Sequence, residues 1–334
     1  MVCKDVHGRQ YFYLLYLVLV SGGDRRTLTP SGCVLENNRI WDFSRAAAVG
    51  SHGIALGGVG THVQYNEVTG GRYTGVWWGG NDHVIRRNHL HHLCTGSSDC
   101  GGIHADRDWT FRGNVIQQNH IHHVLRFYPG AQVRGVMLDD QYSSVLIEGN
   151  VFHDNEIHFN IGGGRDNIAR YNVFYNAHSA SVGMDGRGIN GGSNDKQLHD
   201  RLKTVPYTTG IWAQKYPELA RIDHEAPGEP RGNQIYKNVL YHGLASHNFN
   251  YHGSSLQKSE FFNIHDNFVD THTSDFNDRG TGDYRVICKA GTWAVQQHFP
   301  QPPTEAEVGP HLPYGPKFKH GTVHTKSNGA LKHC

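Results

Sequence analysis

The stretch that decides the fold is EGNVFHDNEIHFNIGGGRDNIARYNVFYN, which runs from Glu148 to Asn176. It contains the pattern Asn-x-apolar twice, at Asn150 and Asn172, 22 positions apart. The same pattern recurs at Asn38, Asn66, Asn88, Asn119, Asn238 and Asn267. A unit of twenty-odd residues with short apolar runs and a repeated Asn is typical of a parallel β-solenoid, whose stacked coils together bury what one coil cannot. We therefore predict an all-β fold, a parallel β-helix, over the alternative of a β-sandwich or propeller with coincidental Asn residues.

The repeated Asn has a physical role in such a fold. Its side chain tolerates the left-handed bend of a corner and can hydrogen-bond to its neighbour one coil away. The gaps between other copies of the pattern are longer than 22 positions, which indicates loops inserted into a common unit.

Composition narrows the function classes. The 334 residues include 31 Lys plus Arg and 30 Asp plus Glu, a net charge of +1, which argues against a nucleic-acid partner. No apolar run reaches the roughly 18 residues of a membrane span, so we expect no membrane-spanning segment. Glycine is abundant, with 41 copies, as a chain with many tight corners requires.

A second column of residues follows the repeated Asn units. The segments GGIHADRDW (101–109), RGVMLDDQ (134–141), HFNIGGGRDN (158–167) and SVGMDGRG (181–188) each read as a strand that ends in a polar corner. Aligning them places Asp106, Asp139, Gly162 and Asp185 in one column. The residues that follow place Arg107, Asp108, Asp140, Arg165, Asp166 and Arg187 along the same edge.

Clustered carboxylates of this kind suit glycosidic bond cleavage. Groups one coil apart lie roughly 5 Å apart and groups two coils apart roughly 10 Å, which covers the carboxyl separations of retaining and inverting glycosidases. We predict catalytic roles for Asp106, Asp139 and Asp140. The predicted substrate-binding residues are Trp77, Trp78, His104, Arg107, Arg165, Asp166, Asp185 and Arg187. The alternative is that these aspartates cap corners and pair with the nearby arginines.

Histidines need a separate interpretation. The pairs His91–His92 and His122–His123 recur at the same place in two units, which indicates the repeat itself more than a zinc site. No metal site is predicted from them. His104 differs because it lies on the strand leading into Asp106, where it can assist proton transfer or bind a sugar hydroxyl.

Cysteines and the N-terminus bear on compartment. Cys94 and Cys100 flank a short loop, and the sequence leaves open whether they form a disulfide or two unpaired thiols. Residues 1–22 include YFYLLYLVLV (11–20), which reads equally as a secretion signal or as a strand of a truncated first coil. We expect an extracellular location and a monomer.

Two further regions follow the N-terminal residues 1–22. Residues 23–298 are predicted to form the β-helix, with an insertion at about 190–232 in which Trp212 to Leu219 form a short helix or lid. Residues 299–334 are predicted to be an irregular C-terminal extension.

Four segments carry a family resemblance. GGIHADRDWTFRGNVI, GVMLDDQYSSVLIEGNVF, FNIGGGRDNIARYNVF and MDGRG, in this order, resemble the right-handed parallel β-helix proteins found widely in bacteria. The resemblance implies a pectin-lyase-like solenoid, and its characterised relatives are carbohydrate-active enzymes similar to glycoside hydrolase family 141. A paired-aspartate mechanism in that family matches Asp99 and Asp140 best, so Asp140 belongs to both versions of the site. His104 stands where an aromatic hydroxyl such as Tyr is expected.

The predicted function is therefore a glycoside hydrolase that cleaves a polysaccharide or oligosaccharide without a cofactor. A non-catalytic carbohydrate-binding or structural β-helix is the first alternative. A polysaccharide lyase is the second, disfavoured because no lysine lies between Lys4 and Lys196, although arginine can act as the base and Asp139–Asp140 can bind Ca²⁺.

Overall fold

The computed structural model describes residues 6–7, 10–11, 18–47, 49–192, 195–241, 247–269 and 271–311. Within them the chain winds as a parallel β-helix, in which each complete coil adds one strand to each of three parallel sheets. This is the predicted fold class.

The first sheet pairs its nine strands in chain order. They are β1 (Val6–His7), β4 (Val34–Glu36), β7 (His62–Gln64), β10 (Val84–Arg86), β13 (Asn114–Gln117), β16 (Val145–Glu148), β19 (Ile168–Arg170), β22 (Asn233–Tyr236) and β25 (Phe262–His265). The second sheet contains β2 (Gln10–Tyr11), β5 (Arg39–Trp41), β8 (Glu67–Thr69), β11 (His89–His91), β14 (His120–His122), β17 (Val151–His153), β20 (Val173–Tyr175) and β23 (Val239–Tyr241). The third sheet contains β3 (Val18–Gly22), β6 (Ile54–Gly58), β9 (Val76–Trp78), β12 (Cys100–Asp106), β15 (Val133–Asp139), β18 (Ile157–Gly162), β21 (Ala180–Asp185) and β24 (His247–Tyr251).

The repeated Asn residues form one continuous ladder at the corner between the first and second sheets. Each Nδ2 donates to the Oδ1 of the next Asn at 2.9–3.0 Å, and each backbone N–H donates to the same oxygen at 2.9–3.0 Å. The members, in order, are Asn38, Asn66, Asn88, Asn119, Asn150, Asn172, Asn238 and Asn267. All eight predicted positions are therefore present, and the amide satisfies buried backbone donors along the stack.

The left-handed bend at this corner lies one residue earlier than predicted. The residue before each ladder Asn has φ between 51° and 65°, for example Tyr65, Arg87 and Gly149. None of the ladder Asn residues has a positive φ. The Asn is thus selected for its hydrogen bonds, and its predecessor makes the turn.

Apolar side chains stack in register inside the coil. Val76, Ile103, Val136, Phe159 and Val182 are successive partners in the third sheet, and each is fully buried. Such columns form one core along the stack, since the interior residue of each coil contacts the equivalent residues above and below.

The inserted segment is helical and covers the corner between the third and first sheets. It comprises α1 (Asp195–Leu202), α2 (Gly210–Lys215), α3 (Pro217–Ala220) and a 3-10 turn (Ile222–His224). Trp212 is fully buried, and its indole Nε1 donates to the carbonyl oxygen of Arg25 at 2.8 Å. Leu198 and Leu202 pack with Trp109 in the same cluster. The helices of the insertion are thus fixed to the coils.

The parallel coils end near Phe268, which bridges to Val239, well before the predicted boundary at residue 298. A 3-10 turn (Ser254–Leu256) lies within the last coil. The chain then forms a 3-10 turn (Thr273–Asp275), an antiparallel pair of β26 (Phe276–Asp278) and β27 (Asp283–Val286) around a 3-10 turn (Arg279–Thr281), α4 (Cys288–Gln296) and a 3-10 turn (Glu305–Glu307). Residues 312–334, most of the predicted C-terminal extension, lie outside the described residues.

This C-terminal segment packs on the outward face of the second sheet. The ring of Tyr284 stacks on His153 with centroids 4.7 Å apart, and the carbonyl oxygen of Pro303 accepts a hydrogen bond from His120 Nε2 at 2.7 Å. Farther along, the N–H of Gly309 donates to the carbonyl oxygen of Arg87 at 2.9 Å. The segment therefore runs back along the stack towards the earlier coils.

The four cysteines that the structure describes are oxidised. Cys94 and Cys100 form a disulfide with Cα atoms 5.9 Å apart, which decides between the two alternatives left open above. Cys33 and Cys288 are also disulfide-bonded, whereas Cys3 and Cys334 lie outside the described residues. Much of the apolar segment 1–22 is likewise outside them, but its last part, β3, pairs with β6 in the third sheet. Among the described helices, none has the length and hydropathy needed to cross a membrane.

Candidate active site

The carboxylates predicted to share a ridge lie in register on the outward face of the third sheet. Asp106 is the Cα partner of Asp139, and Gly162 is the partner of Asp185. Because Leu138 pairs with Ile161 one residue earlier, the column reads Asp106, Asp139, Gly162, Asp185 across four successive coils. We call this column and the side chains around it the acidic ridge.

Arg187 holds the acidic ridge together. Its guanidinium contacts Asp139 through Nη1, lies 3.2 Å from an oxygen of Asp140, and lies 2.6 Å from Asp185 through Nη2. The glycine in the column makes this reach possible, since a Cβ on Gly162 would lie 3.1 Å from Arg187 Cζ. One arginine therefore bridges carboxylates that arise from two coils, with the coil of Gly162 between them.

Asp106 and Asp139 lie side by side in different environments. Asp139 is only 6% exposed, and burial raises the pKa of its carboxyl although Arg187 acts in the opposite direction. Asp106 is half-buried, and no ion pair joins it to any residue that the structure describes. Two neighbouring carboxyl groups whose surroundings differ in this way are suited to opposite roles in proton transfer.

His104 lies one position along the same face and is 5% exposed. Burial lowers the pKa of its imidazole, and the carboxylates of Asp106 and Asp139 oppose that shift. Nδ1 is 3.5 Å from the hydroxyl of Thr74, and Nε2 has no hydrogen-bond partner. His104 therefore presents a neutral ring with one unused nitrogen beside the aspartates.

The strand ends next to the ridge are left-handed. Asp140 has a φ of 43°, Gln141 a φ of 68°, and the equivalent Arg107 one coil earlier a φ of 35°. Arg107 forms an ion pair with Asp140 through Nη2, while its Nε has no partner. Left-handed non-glycine residues recur at the coil corners of the described chain, so this conformation belongs to the repeat and does not by itself mark a functional site.

Several side chains that the sequence analysis did not single out belong to the same face. Arg134 is largely buried, and its Nε has no partner. Burial raises the pKa of Tyr73, and the carboxylates of Asp99 and Asp106 add to that effect. His52 stacks on Trp77 with ring centroids 5.6 Å apart. Extending the aligned columns upstream along each strand would have identified Arg134.

Trp77 and Trp78 point in opposite directions because successive side chains of a strand alternate. Trp77 faces outward, one coil before His104, and is half-buried. Trp78 is 0% exposed, and its Nε1 donates to the hydroxyl of Tyr142 at 3.0 Å inside the coil. The prediction that both indoles stack on sugar thus needs correction, since Trp78 is a core residue without access to a ligand on the surface.

Asp99 lies outside the column, at the start of β12. Its carboxylate is exposed and lies within the loop closed by the Cys94–Cys100 disulfide. It lies near enough to influence His104 and Arg134 electrostatically. Asp99 is therefore at the rim of the acidic ridge, on the side away from Arg187.

Arg165 and Asp166 are placed elsewhere, although the alignment put them on the shared edge. Arg165 is 2% exposed and forms an ion pair with Glu225 of the insertion at 3.1 Å. Asp166 forms an ion pair with buried Arg112 at 2.9 Å. The corner after β18 turns these side chains under the inserted helices, where they fasten the insertion to the coils. Asp108 is likewise buried, and its carboxylate accepts from the N–H of Thr110.

Two surface pockets could form part of a binding site. An open pocket of about 690 Å³ adjoins the acidic ridge and is lined by Asp140, Asp185, Gly186, Arg187, Ile189, Asn190, His252, Ser255 and Leu256. A larger pocket of about 1160 Å³ lies between the second sheet and the C-terminal segment, far from the paired aspartates, with Asp154, Tyr175 and Arg279 in its wall. The smaller one is the continuation of the candidate site.

Comparison with known proteins agrees with this architecture. The sequence profile of the family "Right handed beta helix region" matches residues 26–199. The chain belongs to this right-handed β-helix family. The family description concerns architecture, so the closer resemblance to glycoside hydrolase family 141 stays a prediction. A search of curated proteins finds no significant match.

The solved structures that resemble this chain do so only distantly. The pectate lyase Pel9A is 12% identical with a TM-score of 0.44, over 85% of this chain and 80% of that one. The periplasmic alginate epimerase AlgG is 12% identical with a TM-score of 0.35, over 66% of this chain and 49% of that one. This chain thus spans about half the length of the epimerase.

Proposed function

We propose that this β-helix protein is a glycoside hydrolase that binds a polysaccharide or oligosaccharide along the acidic ridge. The observation that carries the proposal is the register pairing of buried Asp139 with half-buried, unpaired Asp106. Neighbouring strands are about 4.8 Å apart, which is near the carboxyl separation that retaining glycosidases use.

In the proposed reaction, protonated Asp139 donates its proton to the glycosidic oxygen as the bond to the anomeric carbon breaks. The carboxylate of Asp106 attacks that carbon and forms a glycosyl ester. Water then hydrolyses the ester, with Asp139 accepting a proton from the water, so that both carboxyl groups return to their starting states. Burial favours the protonated form of Asp139 that the first step requires.

The charges around the site favour a neutral sugar. Five carboxyl groups, those of Asp99, Asp106, Asp139, Asp140 and Asp185, face the guanidinium groups of Arg107, Arg134 and Arg187. With Asp139 protonated, as the proposed reaction requires, the formal sum over the other groups is 3 − 4 = −1, because His104 is neutral. A polyanionic uronate chain would be repelled by such a surface. Trp77 is half-buried with His52 stacked on its ring, and the part of its indole that is still accessible is the proposed apolar contact for a sugar ring.

A polysaccharide lyase is the second candidate, and one observation favours it. Arg107 and Arg134 both have an Nε without a partner, and neutral His104 has an unused Nε2. In a lyase the guanidinium groups would neutralise a uronate carboxylate, and the imidazole would remove the adjacent C5 proton as the C4–O bond breaks.

The two candidates and the non-catalytic alternative are separated by one set of assays. Asp106→Asn and Asp139→Asn should each lower turnover of a neutral glycan about 10²- to 10⁴-fold while the fold is retained. Asp200→Asn, on the exposed side of α1, is the control and should leave turnover unchanged. New reducing ends without an unsaturated product indicate hydrolysis, and ultraviolet absorption from an unsaturated uronate indicates the lyase. Glycan binding by the wild type without either product would contradict an enzymatic role.

We further propose that the protein acts outside the cytoplasm. All the cysteines that the structure describes are disulfide-bonded, a state that oxidising compartments maintain.

A further inference from the structure

The outward face of the second sheet carries a cluster of histidines that the acidic ridge does not use. The Cα partners are His89 with His120, and His91 with His122 and then His153. His91 stacks on His122 with centroids 5.0 Å apart, and His122 stacks on His153 at 4.2 Å. The recurrence of these residues thus reflects the repeat, as the sequence indicates.

One point in this cluster brings together nitrogen and oxygen atoms from different parts of the chain. His89 Nε2 and His122 Nε2 are 2.8 Å apart, and His89 Nε2 is 3.7 Å from Glu305 Oε1. The three ligand atoms lie within 4.8 Å of one another. Glu305 belongs to the C-terminal segment and is outside the repeat. The repeat alone therefore does not explain why its carboxylate lies beside His89 and His122.

The backbone around Gly282 fixes the position of Glu305. A Cβ on Gly282 would lie 2.4 Å from Glu305 Cβ, and the Glu305 N–H donates to the carbonyl oxygen of Gly282 at 3.0 Å. Gly282 has a φ of 73°, which favours glycine for a second reason. The turn before β27 therefore holds the carboxylate against the histidine face.

We propose that His89, His122 and Glu305 bind a divalent transition-metal ion of the Zn²⁺ type, which fastens the C-terminal segment to the second sheet. Two imidazoles and a carboxylate form a ligand set that such ions accept. With metal–ligand bonds of about 2.0–2.1 Å, ligand atoms on one ion are on the order of 3–3.5 Å apart, and the two measured separations fall on either side of that range.

The residues around this site suit both metal binding and attachment of the C-terminal segment. His122 is 7% exposed, and burial together with the neighbouring imidazoles lowers the pKa of both His89 and His122, so each ring is neutral at pH 7 and has one unprotonated nitrogen. A bound ion would replace the hydrogen bond between the two Nε2 atoms and place the proton of each ring on Nδ1. Glu67 accepts from His91 Nε2 at 3.3 Å and lies close to His89, which places a second carboxylate beside the ligands. Nearby contacts from Pro303 and Gly309 hold the same segment, so the ion would add to an existing attachment.

The test titrates Zn²⁺ into untagged, chelator-treated full-length protein by isothermal calorimetry, with Co²⁺ absorption as a second readout. Glu305→Gln keeps the shape of the side chain, and His122→Phe keeps the ring stacking. Each should remove one equivalent of bound metal or weaken its binding at least tenfold. His224→Ala, an exposed histidine of the insertion, is the control and should bind as the wild type does.

Zn²⁺ should also raise the Tm of the wild type by a few degrees and slow proteolysis within residues 299–311, with neither effect in Glu305→Gln. Retained circular dichroism of each variant excludes unfolding as the cause. Zn²⁺ binding that is unchanged by both substitutions, or no binding by the wild type, would overturn the proposal.

Discussion

The amide ladder and the acidic ridge are both columns in which each coil places a polar side chain above the last, yet they behave differently. An amide both donates and accepts, so eight Asn side chains bond to one another at 2.9–3.0 Å. An ionised carboxylate only accepts. The ridge therefore needs Arg187, and a glycine interrupts its column. The same geometry gives a structural support in one column and, as we propose, a reactive surface in the other.

Exchanging amide and carboxylate side chains between the two columns gives the largest expected change in the free energy of unfolding. Asn119→Asp replaces the Nδ2 group, which donates to Asn150 Oδ1 and to the carbonyl oxygen of Ile85, with a buried carboxylate oxygen that faces these two acceptors. We expect a loss of about 4 kcal/mol or more in the free energy of unfolding at pH 7, measured by urea denaturation. The reciprocal change, Asp139→Asn, should alter stability by less than about 1 kcal/mol.

Asn190→Asp is the control for this exchange because Asn190 is exposed. A loss of similar size in the control, or a mild effect of Asn119→Asp, would remove the distinction between the two columns.

His83 tests whether another group can replace the amide. Its Nδ1 accepts from the N–H of Thr61 at 3.1 Å, and its Nε2 donates to the carbonyl oxygen of Gly79 at 3.2 Å. Burial lowers the pKa of His83 to about 4. Above about pH 7 the His83 ring is neutral in both the folded and the unfolded chain, so it does not affect the free energy of unfolding. As pH falls, the unfolded chain binds a proton at His83 before the folded chain does. Up to about 3 kcal/mol of the free energy of unfolding is therefore lost between pH 6.5 and 4.

His83→Asn should reduce that acid sensitivity, because Asn can accept from Thr61 without titrating, as Asn114 accepts from the backbone of residue 83 one coil later. The measurement is the Tm of both proteins across this pH range. Parallel Tm curves would show that His83 does not act as an amide substitute.

Removing the clamp of the acidic ridge has the smallest expected effect. Arg187→Ala leaves Asp139, Asp140 and Asp185 without their shared cation, at an expected loss of about 2 kcal/mol at pH 7, reduced by the 37% exposure of the arginine. The loss should shrink as pH falls, because Asp139, whose pKa burial raises, takes up a proton and no longer needs the cation. Arg45→Ala, in an exposed pair with Asp42, should change the Tm little. A pH-independent loss in Arg187→Ala would assign its role to packing.

The sequence predicts most of what depends on register. Spacing alone identifies all eight ladder Asn residues, and aligning the strands places Asp106 beside Asp139 and Gly162 beside Asp185. Both succeed because one coil repeats the geometry of the last.

Features that do not follow from the repeated geometry of the coils could not be predicted from the sequence. The corner that turns Arg165 inward depends on the inserted helices, which bring Glu225 to it. Whether Trp77 or Trp78 faces the core depends on the phase of a strand only three residues long. The meeting of Glu305 with His89 depends on how residues 271–311 fold back, which no local pattern encodes.

The bridge made by Arg187 also limits how the molecule can be lengthened. Each ladder Asn bonds only to its immediate neighbours, so a duplicated coil inserted between Asn88 and Asn119 would simply extend that series. A coil added between Asp139 and Asp185 would move those carboxylates about 4.8 Å farther apart, beyond the span of one guanidinium. Designed elongation of this scaffold should therefore avoid the coils between Asp106 and Arg187.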